Sequence, residues 1–390
     1  MIPFARMMTY GNKTKGLSIT KIRSWSQSWL MLTSDNKLYA KGYGSFGGGK
    51  DYYVWWDTWT LIQSDVRNFW CDENNHTIYY QMLDNKMYWC GKTYYRGAGN
   101  NVSLSFVEDT MFSSMIIKKI VFNVNGSTVA LSTTGNCYLI GALRQWTGVN
   151  TSRTTWGLQA SSIYDVCTSG LNWFTVGNNG VVNGGGSNSF NILNTSGDTS
   201  TYYAYPINIG TSKVFPEEPM LNCNTFSVRF RNAAGAMVGR GSGSYGCFGN
   251  GNTNNLTSTT VISTSWPNYS SMIRMNDFGP SDSNGGVAKS YYFTNSTLYF
   301  FGSVRYGGGS TSSSDVLSPE SLSIGFDPSK IIYIQVAFFT VYIYTSDGKV
   351  YHTGLHYNSP SSNTTIIQFT ELTGSFYGNL PLELTRDSML

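Results

Sequence analysis

The segment Leu32–Gly49 reads LTSDNKLYAKGYGSFGGG, and its recurrence along the chain decides the fold. It joins an apolar stretch to an Asp-Asn turn, a second apolar stretch that begins at Leu38, and a glycine-rich tail. Asp, Asn and Gly favour turns, so the segment predicts two antiparallel strands joined by a tight turn. Glycine directly after the second strand indicates backbone at positive φ in a bulge.

The same pattern occurs seven times between about residues 20 and 358. In each copy a small or turn-forming residue stands six positions before a glycine. These turn residues are Asn36, Asn85, Gly135, Gly180, Gly235, Ser296 and Gly348, and the glycines are Gly42, Gly91, Gly141, Gly186, Gly241, Gly302 and Gly354. Seven copies in one register are strong evidence of an internal repeat with a period of roughly 50 residues.

Each copy has further apolar segments on both sides. One precedes it, as in Ile22–Trp25, and another follows the glycine-rich part, as in Trp59–Ile62. A unit therefore has about four short strands and no helix pattern. Seven such units predict an all-β fold, a seven-bladed β-propeller of four-stranded blades.

The strand–turn–strand–glycine pattern resembles the repeat of the regulator of chromosome condensation (RCC1-like) family, whose members are seven-bladed propellers. The stretches that carry the resemblance are LTSDNKLYAKGYGSFGGG at 32–49, GAMVGRGSGSYGCFGNGN at 235–252 and YTSDGKVYHTG at 344–354. The tryptophan that the family has before the main glycine is absent here, and the Gln-Leu-Gly end of its repeat is degraded. A kelch-type propeller is the alternative, but its Gly-Gly, Tyr and Trp pattern is not found in register.

The repeat also predicts the domain organisation. Residues 1–390 form a single propeller domain, with 373–390 as a C-terminal tail. Strands from both termini are expected to close the ring, with residues 2–8 pairing near residues 366–372. Such closure removes the open sheet edge that would otherwise favour aggregation.

The composition limits the class of partner. Charged residues make up 12% of the chain and the net charge is +4 without any run of Lys or Arg, so we expect no nucleic-acid partner. No apolar run approaches the roughly 20 residues of a membrane helix, and the N-terminus lacks the apolar core of a signal peptide. We therefore expect a soluble protein without membrane insertion, made in a cytoplasm. The six widely spaced cysteines, with no CxxC pair, are expected to be reduced thiols.

Chemical motifs are weak throughout the sequence. His352 and His356 have the spacing of a metal pair, but that geometry requires a helix and they flank Gly354 at a strand end. The stretch 239–246 is rich in glycine, yet no helix pattern follows to complete a phosphate site. The acidic pairs Asp72/Glu73, Glu108/Asp109 and Glu217/Glu218 lie in apparent loops with nothing to bring them together. We therefore expect no enzyme activity, no cofactor and no metal.

Aromatic and arginine side chains are the remaining candidates for function. Near the fourth position after the main glycine stand Phe46, Tyr95, Trp146, Phe190, Tyr245, Tyr306 and Tyr357, with Arg96, Arg144, Arg240 and Arg305 among them. Equivalent positions in seven blades share one rim, so they could form a binding face rich in hot-spot residue types. Packing between blades is the alternative. The insertion at 50–59, KDYYVWWDTW, could be an exposed patch or could fold inward as a cap. The candidate interaction residues are Tyr52, Tyr53, Trp55, Trp56, Trp59, Tyr95, Arg96, Arg144, Trp146, Tyr245, Arg305 and Tyr306.

Three classes of function are compatible with these observations. The low charge and abundant Asn, Ser, Thr, Gly and Tyr favour a non-enzymatic structural or binding component of a bacteriophage particle, a tail or surface protein. Its partners would be other virion or tail proteins, with a host-surface glycan or receptor as a candidate ligand, and its location the virion after synthesis in the host cytoplasm. The resemblance implies an alternative, a regulator that acts on a small GTPase, and a further one, a bacterial protein-binding inhibitor.

Overall fold

The computed structural model describes most of the 390-residue chain. The described residues are 18–25, 28–44, 46–47, 54–72, 77–99, 101–123, 126–168, 171–193, 202–212, 221–223, 227–275, 288–304, 308–310, 312, 314–336, 340–347, 349–359, 362–372 and 383–384. They form seven sheets, each built on four antiparallel strands that are consecutive along the chain, and a short fifth strand joins the first sheet in parallel. The predicted all-β, seven-bladed propeller is confirmed.

The seven blades follow the chain in order. Blade one is β1 (Ser18–Trp25), β2 (Ser28–Thr33), β3 (Leu38–Tyr43) and β4 (Trp55–Gln63); blade two is β5 (Val66–Cys71), β6 (Thr77–Met82), β7 (Met87–Lys92) and β8 (Val102–Glu108); blade three is β9 (Ile117–Asn123), β10 (Ser127–Ser132), β11 (Cys137–Ala142) and β12 (Ser152–Ala160); blade four is β13 (Ile163–Thr168), β14 (Asn172–Gly177), β15 (Val181–Ser187) and β16 (Tyr202–Thr211). Blade five is β17 (Leu221–Cys223), β18 (Ser227–Arg231), β19 (Met237–Gly241) and β20 (Leu256–Val261); blade six is β21 (Arg274–Met275), β22 (Lys289–Phe293), β23 (Leu298–Gly302) and β24 (Val316–Ser321); blade seven is β25 (Ile331–Val336), β26 (Thr340–Thr345), β27 (Val350–Ser359) and β28 (Ser362–Glu371). A last strand, β29, covers Glu383–Leu384.

The first strand of each blade lies innermost and the fourth lies outermost. First strands of neighbouring blades contact one another, as β5 contacts β9 and β9 contacts β13. Fourth strands such as β4 and β8 alternate between half-buried and exposed residues, whereas second strands such as β2 and β10 are buried throughout. The perimeter of the ring is therefore a series of sheet edges.

Helix is confined to single turns in the described residues. The one α-helix, α1, is Arg144–Thr147, and the 3₁₀ turns are Thr93–Arg96, Thr110–Phe112, Ser189–Asn191, Ser244–Gly246, Ser263–Ser265, Tyr269–Ser271 and Pro328–Lys330. None of these segments is long and apolar enough to cross a membrane.

The seven repeat glycines form a bulge at the end of each third strand. All seven have positive φ, between 93° at Gly42 and 114° at Gly186, and the pairing of the third strand with the fourth shifts register at each of them. At Gly141 a Cβ atom would lie 2.2 Å from the carbonyl oxygen of Gly126, because the strand passes directly over the start of its neighbour. The backbone N–H of Ala142 donates to that same oxygen at 3.0 Å. Only glycine fits both the conformation and the close approach.

The two ends of the described chain meet at blade one. β29 pairs in parallel with β1, with Ser18 opposite Glu383 and Ile19 opposite Leu384. The predicted partner segment, residues 2–8, lies outside the described residues. Residues 366–371 belong to β28, which pairs with β27 as the outer strand of blade seven. Across the closing seam, the rings of Trp29 and Tyr342 meet edge to face at 6.1 Å.

The apolar core lies between blades. One cluster of buried side chains runs from Tyr342 and Tyr344 in blade seven through Leu30 in blade one to Phe69 in blade two. Four other clusters likewise join neighbouring blades. Blade-to-blade burial of apolar surface is therefore the main stabilising term of the ring.

Lys289 is an exception inside this core. It opens β22 and is fully buried, at the position where the other six blades have a small polar residue. Those residues are Ser28, Thr77, Ser127, Asn172, Ser227 and Thr340. Burial lowers the pKa of Lys289 from 10.5 to about 7, because the low-dielectric surroundings disfavour the charged ammonium.

We expect the variant Lys289→Met to change the pH dependence of stability. Between about pH 7 and pH 10 the unfolded chain holds a proton on Lys289 that the folded chain lacks, so wild-type stability rises with pH in this window. The methionine variant lacks this slope and should gain about 3 kcal/mol relative to wild type as the pH falls from 10 to 7. Urea unfolding of both proteins at several pH values measures the difference, and parallel curves would contradict the prediction.

Candidate interaction surfaces

The predicted aromatic residues Phe46, Tyr95, Trp146, Phe190 and Tyr245 lie in the turns that connect third strands to fourth strands, whereas Tyr357 belongs to β27. Phe46, Tyr95 and Trp146 are buried, with exposures of 1%, 5% and 4%. Tyr245 is half-buried, and Phe190 is 38% exposed. Residues 305–307, which include Arg305 and Tyr306, and the side chain of Tyr357 lie outside the described part of the chain. This ring is therefore mostly internal.

Each of these turns packs against the next blade. Tyr95 of blade two contacts Phe122 of blade three at 5.8 Å between ring centroids, and its carbonyl oxygen accepts a hydrogen bond from Thr128. Trp146 of blade three contacts Trp173 and Tyr205 of blade four, at 5.9 Å and 4.5 Å. Tyr95 and Trp146 thus pack between blades, which is the alternative that the sequence left open.

Arg96 belongs to a buried polar cluster at the seam between blades two and three. Its Nη1 donates to Asp109 Oδ2 at 2.7 Å and to the hydroxyl of Tyr79 at 2.7 Å, and Trp156 Nε1 of blade three donates to the same Asp109 oxygen at 2.6 Å. Its guanidinium also lies 4.4 Å from the ring centroid of Trp89. Burial opposes the charged form of Arg96, but its interactions with Tyr79 and Asp109 outweigh this effect and raise the pKa of the guanidinium. Burial raises the pKa of Tyr79 to about 12.

Asp109 is the residue whose role the sequence did not reveal. The sequence grouped it with Glu108 as a loop carboxylate, but Glu108 ends β8 and Asp109 is 7% exposed beneath Arg96. Asp72, from another acidic pair, is 1% exposed and accepts a hydrogen bond from the backbone N–H of Thr77. These two carboxylates therefore stabilise the blades. Glu73, Glu217 and Glu218 lie outside the described residues.

Arg144 is the most exposed of the candidate arginines in the described structure. It lies at the start of α1, and its guanidinium carbon stacks 3.9 Å above the ring of Tyr202 in blade four. An arginine on an aromatic face can bind a partner or simply cover the seam. Its interaction role stays a prediction.

The aromatic insertion of blade one is divided between strand and loop. Tyr52 and Tyr53 lie outside the described residues, whereas Trp55, Trp56 and Trp59 belong to β4. Trp56 and Trp59 pack against the core cluster of blades seven, one and two, and Trp56 meets Phe46 at 5.4 Å. Trp55 lies edge to face with Tyr43 at 5.1 Å and is half-buried. Trp56 and Trp59 therefore pack on the core, while Trp55 packs on Tyr43 of its own blade.

The perimeter exposes a second set of apolar residues that the sequence analysis missed. The largest exposed aliphatic side chains on fourth strands are Leu61 at 47%, Val107 at 46%, Leu158 at 54%, Val261 at 43% and Ile367 at 58%. No described fourth strand contains a lysine, and each contains at most one charged residue. Natural sheet edges usually carry charge, lysine above all, to prevent pairing with other chains. The described outer strands therefore have only weak protection of this kind.

The first strands form a polar ring around the axis. Lys21 of blade one donates to Asn68 Oδ1 of blade two at 2.7 Å, and Lys119 of blade three forms an ion pair with Asp165 of blade four at 3.0 Å. Arg23 and Arg274 both lie over the ring of Tyr333, at 4.8 Å and 5.3 Å. Burial and the neighbouring Arg23 cation hold the pKa of Lys21 well below its usual range. These contacts join neighbouring blades.

The described residues hold no group of His, Cys, Asp and Glu side chains suited to a metal ion. His352 and His356 lie on one strand, β27, where four residues span roughly 13 Å, too far to share an ion. No disulfide bond joins the cysteines of the described structure, and the sulfur atoms of Cys167 and Cys223 approach to 2.7 Å across the seam between blades four and five.

Solved structures of similar shape are found despite low sequence identity. Yeast RCC1 (Prp20), in its complex with Kap60, matches with a TM-score of 0.65 at 11% identity over 96% of this chain and 91% of that chain. Human WBSCR16 matches with a TM-score of 0.62 at 10% identity over 82% of this chain and 86% of that one. Prp20p from Saccharomyces cerevisiae, described on its own, gives 0.59 at 11% identity over 78% and 76%.

These similarities establish the fold. No protein-family model matches the sequence. No curated protein matches it either. The chain therefore has an RCC1-like seven-bladed propeller fold, as its repeats predict.

Proposed function

We propose that this propeller is a non-enzymatic structural component of a virus particle, a bacteriophage tail or surface protein that assembles through its perimeter. The observation that carries the proposal is the set of seven outer strands without lysine, five of which expose a large aliphatic side chain. Such edges are a liability for a free protein, and an assembly that covers them removes that liability.

The rest of the chain supports an assembled role. The composition is poor in charge and rich in Tyr, Ser, Gly and Asn, residue types that adaptable binding surfaces favour. The partners would be other virion or tail proteins, and the protein would be located in the particle after synthesis in the host cytoplasm. Half-buried Arg96 and buried Asp109 are structural partners of each other at a seam between blades, which is consistent with a structural role for these ionisable groups.

A regulatory protein that acts on a small GTPase is the second candidate. Its support is the structural similarity to Prp20p, whose binding properties toward Gsp1p and histones are known. The axial ring of Lys21, Lys119 and Arg274 offers a charged region for such a partner, although the contacts among these residues already join the blades.

Co-expression with the products of the flanking genes tests the proposal. We expect the chain to elute from a size-exclusion column together with one or more virion proteins. The variants Leu61→Lys and Leu158→Lys place a lysine on two of these outer strands and should reduce co-elution by roughly tenfold or more. Val149→Lys is the matched control, because Val149 is 58% exposed but lies just after α1 in the turn between β11 and β12 rather than on an outer strand.

Three other results would count against the proposal. A chain that elutes alone beside every flanking product would overturn the virion role. Acceleration of GDP release from a small GTPase loaded with a fluorescent GDP analogue would support the regulatory candidate instead. Equal losses from Val149→Lys and Leu61→Lys would show that the perimeter is not the contact surface.

A further inference from the structure

A groove on the side of the ring separates the outer parts of blades four and five. Its volume is about 450 Å³, and its lining residues are Asn208, Ile209 and Gly210 of β16, Arg240 of β19, and Ser258 and Thr259 of β20. Thr259 joins the two walls, since its hydroxyl donates to the carbonyl oxygen of Ile209 at 2.7 Å. This hydrogen bond connects the two walls of the groove across the seam.

Arg240 lines this groove as a buried cation. The residue is only 4% exposed. Its Nε donates to the carbonyl oxygen of Asn191 at 2.7 Å, and its Nη2 donates to that of Leu193 at 3.0 Å. Both acceptors belong to the turn of blade four that docks on blade five. One side of the guanidinium is thus used to hold the seam.

The charge of Arg240 has no counter-ion in the described structure. Its ion-pair partners would be carboxylates, but both of its hydrogen-bond acceptors are neutral carbonyl oxygens. Burial lowers the pKa of Arg240, which reflects the cost of keeping the cation away from water. A guanidinium bound through Nε and Nη2 still presents its other edge, and that edge matches the two oxygens of a carboxylate.

The other residues that line the groove indicate which kind of carboxylate-bearing ligand would fit it. Asn208 and Ser258 are exposed and polar, Thr259 adds a hydroxyl, and Gly210 offers bare backbone. The only large apolar side chain is Ile209, which is 3% exposed. Several hydroxyl and amide groups around one cation suit a compact ligand with many hydroxyls better than an apolar peptide.

We propose that the groove between blades four and five is a binding site for a carboxylate-bearing sugar, with Arg240 as the group that binds the carboxylate. The inference does not depend on the virion role, since it rests on the groove alone. The site is shallow and contains a single cation, so we expect a dissociation constant of about 1 mM for a single sugar unit.

Titration with D-glucuronate, followed by NMR chemical shifts or calorimetry, tests the site on the full chain. Wild-type protein should bind glucuronate and not D-glucose, because only the acid offsets the charge of Arg240. Arg240→Met should weaken glucuronate binding at least tenfold. Arg144→Met is the matched control, since Arg144 occupies the neighbouring seam and its removal should leave glucuronate affinity unchanged.

A second variant separates binding from folding. Ser258→Glu leaves both carbonyl contacts of Arg240 intact and supplies a carboxylate within the groove, so it should abolish glucuronate binding without loss of thermal stability. Equal affinity for glucose and glucuronate would overturn the proposal, as would the absence of saturable binding. Tighter binding of N-acetyl-glutamate amide than of glucuronate would also overturn it, because the site would then suit an acidic protein side chain.

Discussion

Replacement of Gly141 by alanine is expected to lower the free energy of unfolding by about 4 kcal/mol, among the largest effects of any single substitution in this chain. Gly141 has a φ of 94°, a conformation that costs an L-residue roughly 1–2 kcal/mol. The added methyl group would also lie 2.2 Å from the carbonyl oxygen of Gly126. The strand must move to relieve this contact, which breaks the hydrogen bond from Ala142 to the same oxygen.

Alanine variants at two further glycines distinguish the cost of the positive φ from the cost of the close approach between strands. Gly99 has a φ of 81° with nothing within 4 Å of an added Cβ, so Gly99→Ala should cost only about 1 kcal/mol. Gly325 has open space and no positive φ, so Gly325→Ala should stay within about 0.5 kcal/mol of wild type. Urea unfolding followed by tryptophan fluorescence measures all three variants. Equal losses for Gly141→Ala and Gly99→Ala would show that the close approach between strands is unimportant.

Asp109→Ala is expected to lower the free energy of unfolding by about 3 kcal/mol, since it leaves the half-buried Arg96 cation without its counter-ion. Arg96 would keep the hydroxyl of Tyr79, a neutral partner, and Trp156 Nε1 would lose its acceptor. Asp109 connects blade two to blade three through Trp156, so the loss should appear as weaker cooperativity between these blades as well. Urea unfolding monitored by fluorescence and by circular dichroism measures both effects.

Two further variants serve as controls. One removes an exposed ion pair, and the other removes both charges of the Arg96–Asp109 pair. Asp84→Ala removes an exposed pair with Lys86 at 3.8 Å and should change stability very little. In the double variant Asp109→Leu with Arg96→Leu neither charge remains, and much of the lost stability should return. A double variant as unstable as Asp109→Ala would show that the hydrogen bonds to Tyr79 and Trp156, rather than the unpaired charge, dominate.

The fold could be predicted because its determinants are local. A glycine at positive φ and a turn residue six positions earlier are both properties of a short segment, and seven copies gave the number of blades. The turn residues Asn36 and Asn85 do have positive φ, at 62° and 72°. The four-stranded unit followed from apolar stretches of strand length. None of these inferences required knowledge of which residues meet across the ring.

The role of the rim residues could not be predicted in the same way. The repeat places Tyr95 and Trp146 at equivalent positions, but burial depends on how the turn meets the next blade, and that contact is not encoded in the spacing. The sequence could have identified Lys289 as an exception, because the residue paired with the main glycine is Ser, Thr or Asn in the other six copies. Arg240 appeared in the sequence as one more rim arginine, and only the groove distinguishes it.

The way in which the chain supplies the strands of each blade determines whether the ring tolerates circular permutation. Every blade takes its four strands from one uninterrupted segment, and the seam between blades seven and one is apolar like the others. β29 lies beside β1, so the described ends of the chain are neighbours. The blade at which the chain begins can therefore be changed without changing the order of the blades around the axis. A circularly permuted chain, opened between two other blades and joined across the β1–β29 contact, would meet the same seven seams.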